Sequence, residues 1–347
     1  MFKNLFKFTA NSIGIDLGTA NTLVYLKGHG IVINEPSVVV VNQKTGRIVA
    51  VGAEAKQMLG RTPAHLKTIR PLVDGVISDY EVTEEMLTYL INKANRMDKK
   101  LFRPKVVVGI PTGVTNVEAR AVYDAARAAG ARQCYLIEEP VAGALGVRLP
   151  IKDAVGTIVV DIGGGTTDIA VIASGGVVRS KNLRIAGDKL NADVLQFIRD
   201  EFKLIIGEKT AEAVKIAVGS AVVGNYMETI VRGRDILTGL PREVIVTDAD
   251  IREAMTNSVS KIIDAISEVL ETTPPEILAD VLEQGIVLVG GGALIVGLDQ
   301  LIRTTFKVPV YLAEDPLTAV ARGTGIAVED IDFYKELLIV PEYDRSI

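Results

Sequence analysis

An apolar strand ending in aspartate, a turn of Gly and Thr, and a second apolar strand occur twice in this chain, as SIGIDLGTANTLVYL from Ser12 and TIVVDIGGGTTDIAVI from Thr157. The copies begin about half the chain apart, as expected if each of two lobes contributes the same β-hairpin to opposite walls of one cleft. A length of 347 residues fits that division, since two lobes can each bury an apolar interior. Hydrophobic residues at 48% and charged residues at 23% give a globular balance. Short β-rich runs such as KVVVGI, CYLIE and GIVLVG alternate with helical patterns such as EVTEEMLTYLINKAN and VEARAVYDAARAAG. That alternation specifies an α/β architecture. No Gly/Ser or Pro linker separates the lobes, so they are expected to pack closely.

Glycine-crowded hairpin turns expose successive backbone N–H groups with no Cβ in the way, a concavity that suits phosphate oxygens. Gly18, Thr19, Ala20 and Asn21 supply one such turn, and Gly163, Gly164, Gly165 and Thr166 the other. Neither is a Walker A loop or a GxGxxG strand-to-helix site. Asp16 and Asp161 end the incoming strands, where they either hold Mg²⁺ through water or cap the turns. Between the copies, LIEEPVAGALG runs from a strand into a helix of small residues, with Pro140 suited to the first turn. Glu139 there is the candidate to polarise an attacking water, assisted by the Thr166 hydroxyl; the alternative is an acidic residue favouring the helix dipole. A third glycine cluster, Gly290, Gly291 and Gly292, follows an apolar strand and would let a nucleoside lie against the backbone. In IGEKTAEAVKIAVG, Glu212 and Lys215 stand three apart on one helical face, to close over adenine and ribose or to form a surface ion pair.

These motifs in this order resemble the actin, sugar-kinase and heat-shock-chaperone ATPase superfamily. Within it, NEPSVVVV, VGAEAKQMLGRTP, IRPLVDGVISDY and GLPREV resemble the MreB family of bacterial actins over nearly the whole chain. The resemblance implies an actin-like α/β fold of two lobes with RNase H-like cores and four subdomains, with ATP and Mg²⁺ in the central cleft. It implies lobe one from 1–32, 75–150 and 329–347 with a small subdomain at 33–74. Lobe two follows from 151–187 and 254–328 with a small subdomain at 188–253. The family's nucleotide contacts fall on Thr19 to Asn21, Gly163 to Gly165, Glu212, Ala213, Val214 and Lys215, and Gly290, Gly291, Gly292, Ala293 and Leu294. Its hydrolysis residues fall on Glu139 and Thr166. The resemblance also implies self-assembly into paired filaments, attachment to the inner face of the cytoplasmic membrane, and membrane-bound cell-shape and wall-synthesis partners. The local variant VVVVNQKTG and the tail FYKELLIVPEYDRSI depart from the family pattern, bearing on filament ends and partner choice.

Other features bound the function. A net charge of -5 argues against a general nucleic-acid binder, leaving only a local basic patch as an exception. Cys134 is the only cysteine, which excludes an intramolecular disulfide, and its surroundings read as a buried strand. No apolar run approaches the roughly 20 residues that span a bilayer, and MFKNLFKFTANS lacks the pattern of a secretory signal. In its first eight residues Phe2, Leu5 and Phe6 share one helical face, an interfacial anchor pattern or else a disordered or docked terminus. Leu101 and Phe102, flanked by Lys99, Lys100 and Arg103, are expected in a loop and resemble that family's membrane-insertion loop. Val117, Ala121, Ala125 and Ala128 form a small-residue helical stripe, read either as core or as a lateral filament contact. A sugar kinase of the same superfamily requires a hydroxyl-substrate pocket and base, for which no further signature stands out; a chaperone requires a peptide-binding domain for which little sequence remains.

Overall fold

The structure is a computed structural model that describes residues 10–98 and 102–341. Its strands in chain order are β1 (Ala10–Leu17), β2 (Asn21–Leu26), β3 (Gly30–Pro36), β4 (Val39–Asn42), β5 (Ile48–Val51), β6 (Leu66–Ile69), β7 (Leu72–Val73), β8 (Val76–Ile77), β9 (Phe102–Ile110) and β10 (Gln133–Glu138). They continue as β11 (Thr157–Ile162), β12 (Thr167–Ala173), β13 (Gly176–Leu183), β14 (Leu204–Ile205), β15 (Glu228–Asp235), β16 (Pro241–Thr247), β17 (Ile286–Val289) and β18 (Val310–Leu312). The helices are α1 (Ala53–Met58), α2 (Tyr80–Met97), α3 (Asn116–Ala128), α4 (Glu139–Gly146), α5 (Gly187–Glu201), α6 (Glu208–Val218), α7 (Asp248–Thr272), α8 (Pro275–Gln284), α9 (Leu298–Phe306), α10 (Ala319–Glu329) and α11 (Ile331–Tyr334).

Two five-stranded sheets share one topology. The first runs β10-β9-β1-β2-β3 and the second β18-β17-β11-β12-β13. In each, the repeated motif forms the central antiparallel hairpin, one later strand pairs in parallel with its first strand, and a second later strand pairs in parallel with that one. The motif repeat seen in sequence is thus the visible part of a duplicated sheet. Smaller sheets, β5-β4-β6 and β14-β15-β16, arise from residues 39–69 and 204–247.

Strand alternation sorts the apolar side chains into layers. Val106 and Val108 of β9 join Ile13, Ile15 and the inner face of α2 (Leu87, Leu90, Ile91) in one core. Ile158, Val160 and Ile162 of β11 join α5 and α7 in a second. The alternate residues, Val107 and Val159, turn to a third cluster in which α4 and α10 lie between the two sheets. Strands covered on both faces need no polar side, which is why VVV and TIVV read as continuous apolar runs. Among helix caps, Thr115 and Glu118 form a reciprocal capping box at α3, and Thr247 and Asp250 another at α7.

Two expectations change at this level. Phe102 and Arg103 open β9 rather than sitting in a loop, with Phe102 opposite Ala10, although Phe102 stays exposed. The β-branched run that follows, KVVVGI, extends the strand back to them. Phe2, Leu5, Phe6 and Leu101 lie outside the described residues. On α3 the buried face is Val122, Tyr123, Ala125 and Ala126, so of the small-residue stripe only Ala125 is buried, and Val117 is 77% exposed. Cys134 is buried in β10, where burial pushes its thiol up to about 12.

Candidate functional site

The two Gly/Thr turns meet. A Cβ on Gly164 would come within 2.7 Å of the Ala20 Cβ, and one on Gly165 within 2.5 Å of the Thr19 hydroxyl oxygen. Only glycine permits that approach. Their carbonyls are tied back into the lobes. Ser37, from the NEPS stretch, donates from N to Ala20 O at 3.0 Å and from Oγ to Gly18 O at 2.5 Å. The first turn of α5 does the same for the other loop, Gly187 N to Gly163 O at 3.1 Å and Asp188 N to Gly164 O at 2.8 Å. With those acceptors occupied, the loop surfaces are less repellent to an anion.

Around the loops is a cavity of about 480 Å³, within the range of small-molecule sites. The structure brings Asp16, Gly18 to Asn21, Glu139, Asp161, Gly163 to Thr166, Glu212, Lys215, Gly290 to Gly292 and Leu294 to its wall. Three residues of the expected set are absent from that wall. Val214 points into the lobe-two core, Ala213 faces solvent and Ala293 is buried. On a helix of 3.6 residues per turn, the face that carries Glu212 and Lys215 continues to Ile216 and Gly219, not to the residues between. After Gly290 the chain makes a short 3₁₀ turn, Gly291–Leu294, which turns Ala293 inward. Leu317 and Val320 also line the cavity, from a segment that carries no glycine or charge to advertise it.

The floor is acidic. Burial pushes Asp16 up to about 7. Asp161 is raised by burial and then by Asp16 and Asp168, and Glu139 by burial and then by Asp168, Asp161 and Asp16. Burial is the leading cause in each case, and repulsion from the neighbouring carboxylates adds to it at Asp161 and Glu139. Lys215 is held below its usual range by burial, opposed by Glu212 and Asp188, and its Nζ donates to Gly187 O at 3.0 Å. Among the described residues no three acidic, His or Cys side chains converge tightly enough to hold a metal ion by themselves. Two aspartates reaching Mg²⁺ through its waters fit that arrangement. Behind the floor, Asp168 Oδ2 is buried without a hydrogen-bond partner among the described residues. Asp168 closes the motif DIGGGTTD, yet nothing in the pattern distinguished it from a turn residue.

Over the mouth, Arg70 pairs with Asp188 at 3.3 Å and Glu208 at 2.8 Å, and Lys56 with Glu212 at 3.4 Å. These exposed pairs join β4–β6 neighbours to α5 and α6 across an adjoining cavity of about 340 Å³, and each contributes at most about 1 kcal/mol.

The MreB/Mbl protein family model matches residues 10–336. The cell shape-determining protein Mbl of Bacillus subtilis is 49% identical over 93% of this chain and 97% of its own. The cell shape-determining protein MreB of Escherichia coli is 47% identical over 96% of this chain and 98% of its own. In structure the chain is similar to MreB5 of Spiroplasma citri bound to ADP, with a TM-score of 0.89 and 39% identity over 94% of this chain and 99% of that one. It is also similar to MamK in its double helical filament, with a TM-score of 0.79 and 27% identity over 91% of this chain and 98% of that one. The duplicated sheet, the paired loops and the acidic floor are therefore an actin-like ATPase fold, and the chain belongs to the MreB/Mbl family.

Proposed function

We propose that this chain binds Mg·ATP between its two glycine loops, hydrolyses it slowly, and assembles with copies of itself into membrane-attached filaments that maintain cell shape by organising wall synthesis. The single observation that carries the nucleotide reading is the meeting of Gly164 and Gly165 with Ala20 and Thr19, which joins one loop from each sheet at a cavity floored by Asp16, Asp161 and Glu139. Similarity to MreB5 solved with ADP and with AMPPNP supports the ligand class. Similarity to relatives named cell shape-determining proteins and to a filament of MamK supports the role and the self-association.

In this reading the loops and Lys215 hold the triphosphate and ribose, and Asp16 and Asp161 hold the ion through water. The ion would neutralise charge at the phosphates and restore the ionised state of the floor. Glu139 orients and deprotonates the attacking water, with Thr166 beside it. Differential binding of the closed state would let ATP set the angle between lobes, and so how copies stack.

Calorimetric titration with Mg·ATP tests the first step. Saturable binding is expected, weakened about tenfold by Lys215→Ala through loss of one charge-assisted hydrogen bond. Negative-stain microscopy with Mg·ATP on a lipid monolayer should then show filaments. Mg·ATP binding without filaments, together with phosphorylation of a sugar panel, would move the chain to the sugar-kinase reading.

No helix among the described residues is long and apolar enough to cross a membrane. Attachment is assigned to the sequence pattern Phe2, Leu5, Phe6 and Leu101, together with exposed Phe102. Each inserted apolar side chain supplies roughly 1.5 kcal/mol at most, so a monomer binds lipid weakly while a filament multiplies its anchors. A variant with Phe2, Phe6, Leu101 and Phe102 changed to Ser is expected to leave its filaments in the supernatant when liposomes are pelleted. Undiminished pelleting removes the anchor assignment.

A further inference from the structure

The side chain of Asp168 is a junction between the lobes. Its Oδ1 accepts three hydrogen bonds, from Thr112 N at 2.7 Å, Thr112 Oγ1 at 2.8 Å and Asn182 Nδ2 at 3.0 Å. Thr112 stands just past the end of β9 in the first sheet, while Asp168 is on β12 and Asn182 is its register partner on β13 in the second. Thr112 is 2% and Asp168 1% exposed, so water cannot replace these donors. Oδ2 is buried, and no described donor reaches hydrogen-bond geometry with it.

Thr166, two residues earlier, lines the nucleotide cavity. Its hydroxyl also acts on the Asp168 carboxylate, favouring the charged form. Lobe-one elements enclose it: a Cβ on Gly75 would meet Thr166 Cγ2 at 2.8 Å and Pro111 Cγ at 2.7 Å. Pro111 and Thr112 are consecutive, so one turn of the first sheet packs near Thr166 and hydrogen-bonds Asp168. A rotation between the lobes must therefore either break the Thr112–Asp168 bonds or carry the Thr166 segment with it. Glu139 opens α4, which follows β10 of the same first sheet, and like Thr166 it lines the cavity.

We propose that Asp168, pinned by Thr112, is a positioning residue that transmits the relative setting of the two lobes to Thr166 and so gates hydrolysis. The proposal rests on the reading that this cavity binds and hydrolyses ATP. It separates hydrolysis from affinity, because neither Thr112 nor Asp168 lies on the cavity wall.

Thr112→Val keeps the shape and the backbone donor but deletes the hydroxyl donor. In single-turnover hydrolysis of Mg·ATP by the full chain, its rate is expected to fall about tenfold, the scale of a misplaced reacting group, with the ATP dissociation constant within about twofold of wild type. Thr112→Ser, which restores the donor, should recover the rate to within about twofold, and Asp168→Asn should fall at least as far as Thr112→Val. A Thr112→Val rate within about twofold of wild type overturns the proposal. So does a parallel loss of rate and affinity, or a loss of rate that follows the loss of folded protein by circular dichroism, either of which makes the pair a structural tie. Wild-type protein that binds no ATP removes the underlying reading, an outcome separate from those of the variants.

Discussion

Glu139→Ala is expected to slow hydrolysis of bound ATP by about 10²–10³-fold while leaving ATP binding and filament assembly in place, as befits removal of a general base. The position follows from local structure. β10 ends at Glu138, Pro140 fixes the first turn of α4, and Glu139 is delivered at the strand–helix junction onto the cavity wall. Gly109 of β9 lies beside it, where a Cβ would stand 3.5 Å from the Glu139 Cγ. Its neighbour Glu138 is not on that wall, and its carboxyl is raised by burial and by Asp168.

The size of the effect depends on the charge of Glu139. Without a cation, burial and the facing carboxylates of Asp168, Asp161 and Asp16 hold it above its ordinary range, so it keeps its proton to higher pH. A protonated acid cannot take a proton from water. In the proposed reading, the Mg²⁺ that accompanies ATP would offset the carboxylates and favour ionised Glu139, which would tie hydrolysis to a loaded site. Single-turnover assays separate the steps, since chemistry slows while affinity holds. Loss of nucleotide binding in Glu139→Ala would show that the residue supports the site rather than the reaction.

The parts of this molecule that were legible in sequence are those governed by a local rule. The two hairpins announced themselves because an apolar strand, a glycine turn and a second strand must recur in order, and the duplicated sheets grow from them. Glu212 and Lys215 were legible because a spacing of three fixes one helical face. Ala213 and Val214 were carried in with them only as a contiguous stretch, and the helix turns both away. Thr112 and Ser37 were invisible for another reason. Each acts through partners 56 and 19 residues distant in the chain, and single hydroxyl residues leave no period or spacing to read. Phe102 was misplaced because lysines beside an apolar pair suggest a loop, whereas long-range pairing with β1 draws the residue into a strand.

The second large effect concerns the helices between the sheets. α4 and α10 cross in backbone contact, through glycines that answer one another. A Cβ on Gly323 of α10 would stand 1.7 Å from Ala142 O of α4, and one on Gly146 of α4 would stand 1.8 Å from Ala319 O at the start of α10. Neither obstacle is a side chain that can rotate away. Gly323→Ala can be accommodated only by parting the helices, which opens the cluster around Ala142, Ala144, Val320 and Ala327. Alanine does favour a helix over glycine, by about 1 kcal/mol. Overpacking costs about 1–3 kcal/mol and more where backbone must move, so the clash wins and a net loss of about 2 kcal/mol is expected for each substitution. At about 2–4 °C per kcal/mol for domains of this size, the melting temperature should fall by roughly 4–8 °C. Gly176→Ala is the matched control, since a Cβ there meets nothing and its backbone is ordinary; it should melt with wild type. The same crossing also positions the site, because α4 begins at Glu139 and Val320 of α10 lines the cavity. Nucleotide affinity should therefore fall together with stability in Gly323→Ala, unlike in Glu139→Ala. A Gly323→Ala protein that melts with wild type would mean that the helices part freely and that their contact does not hold the lobes together.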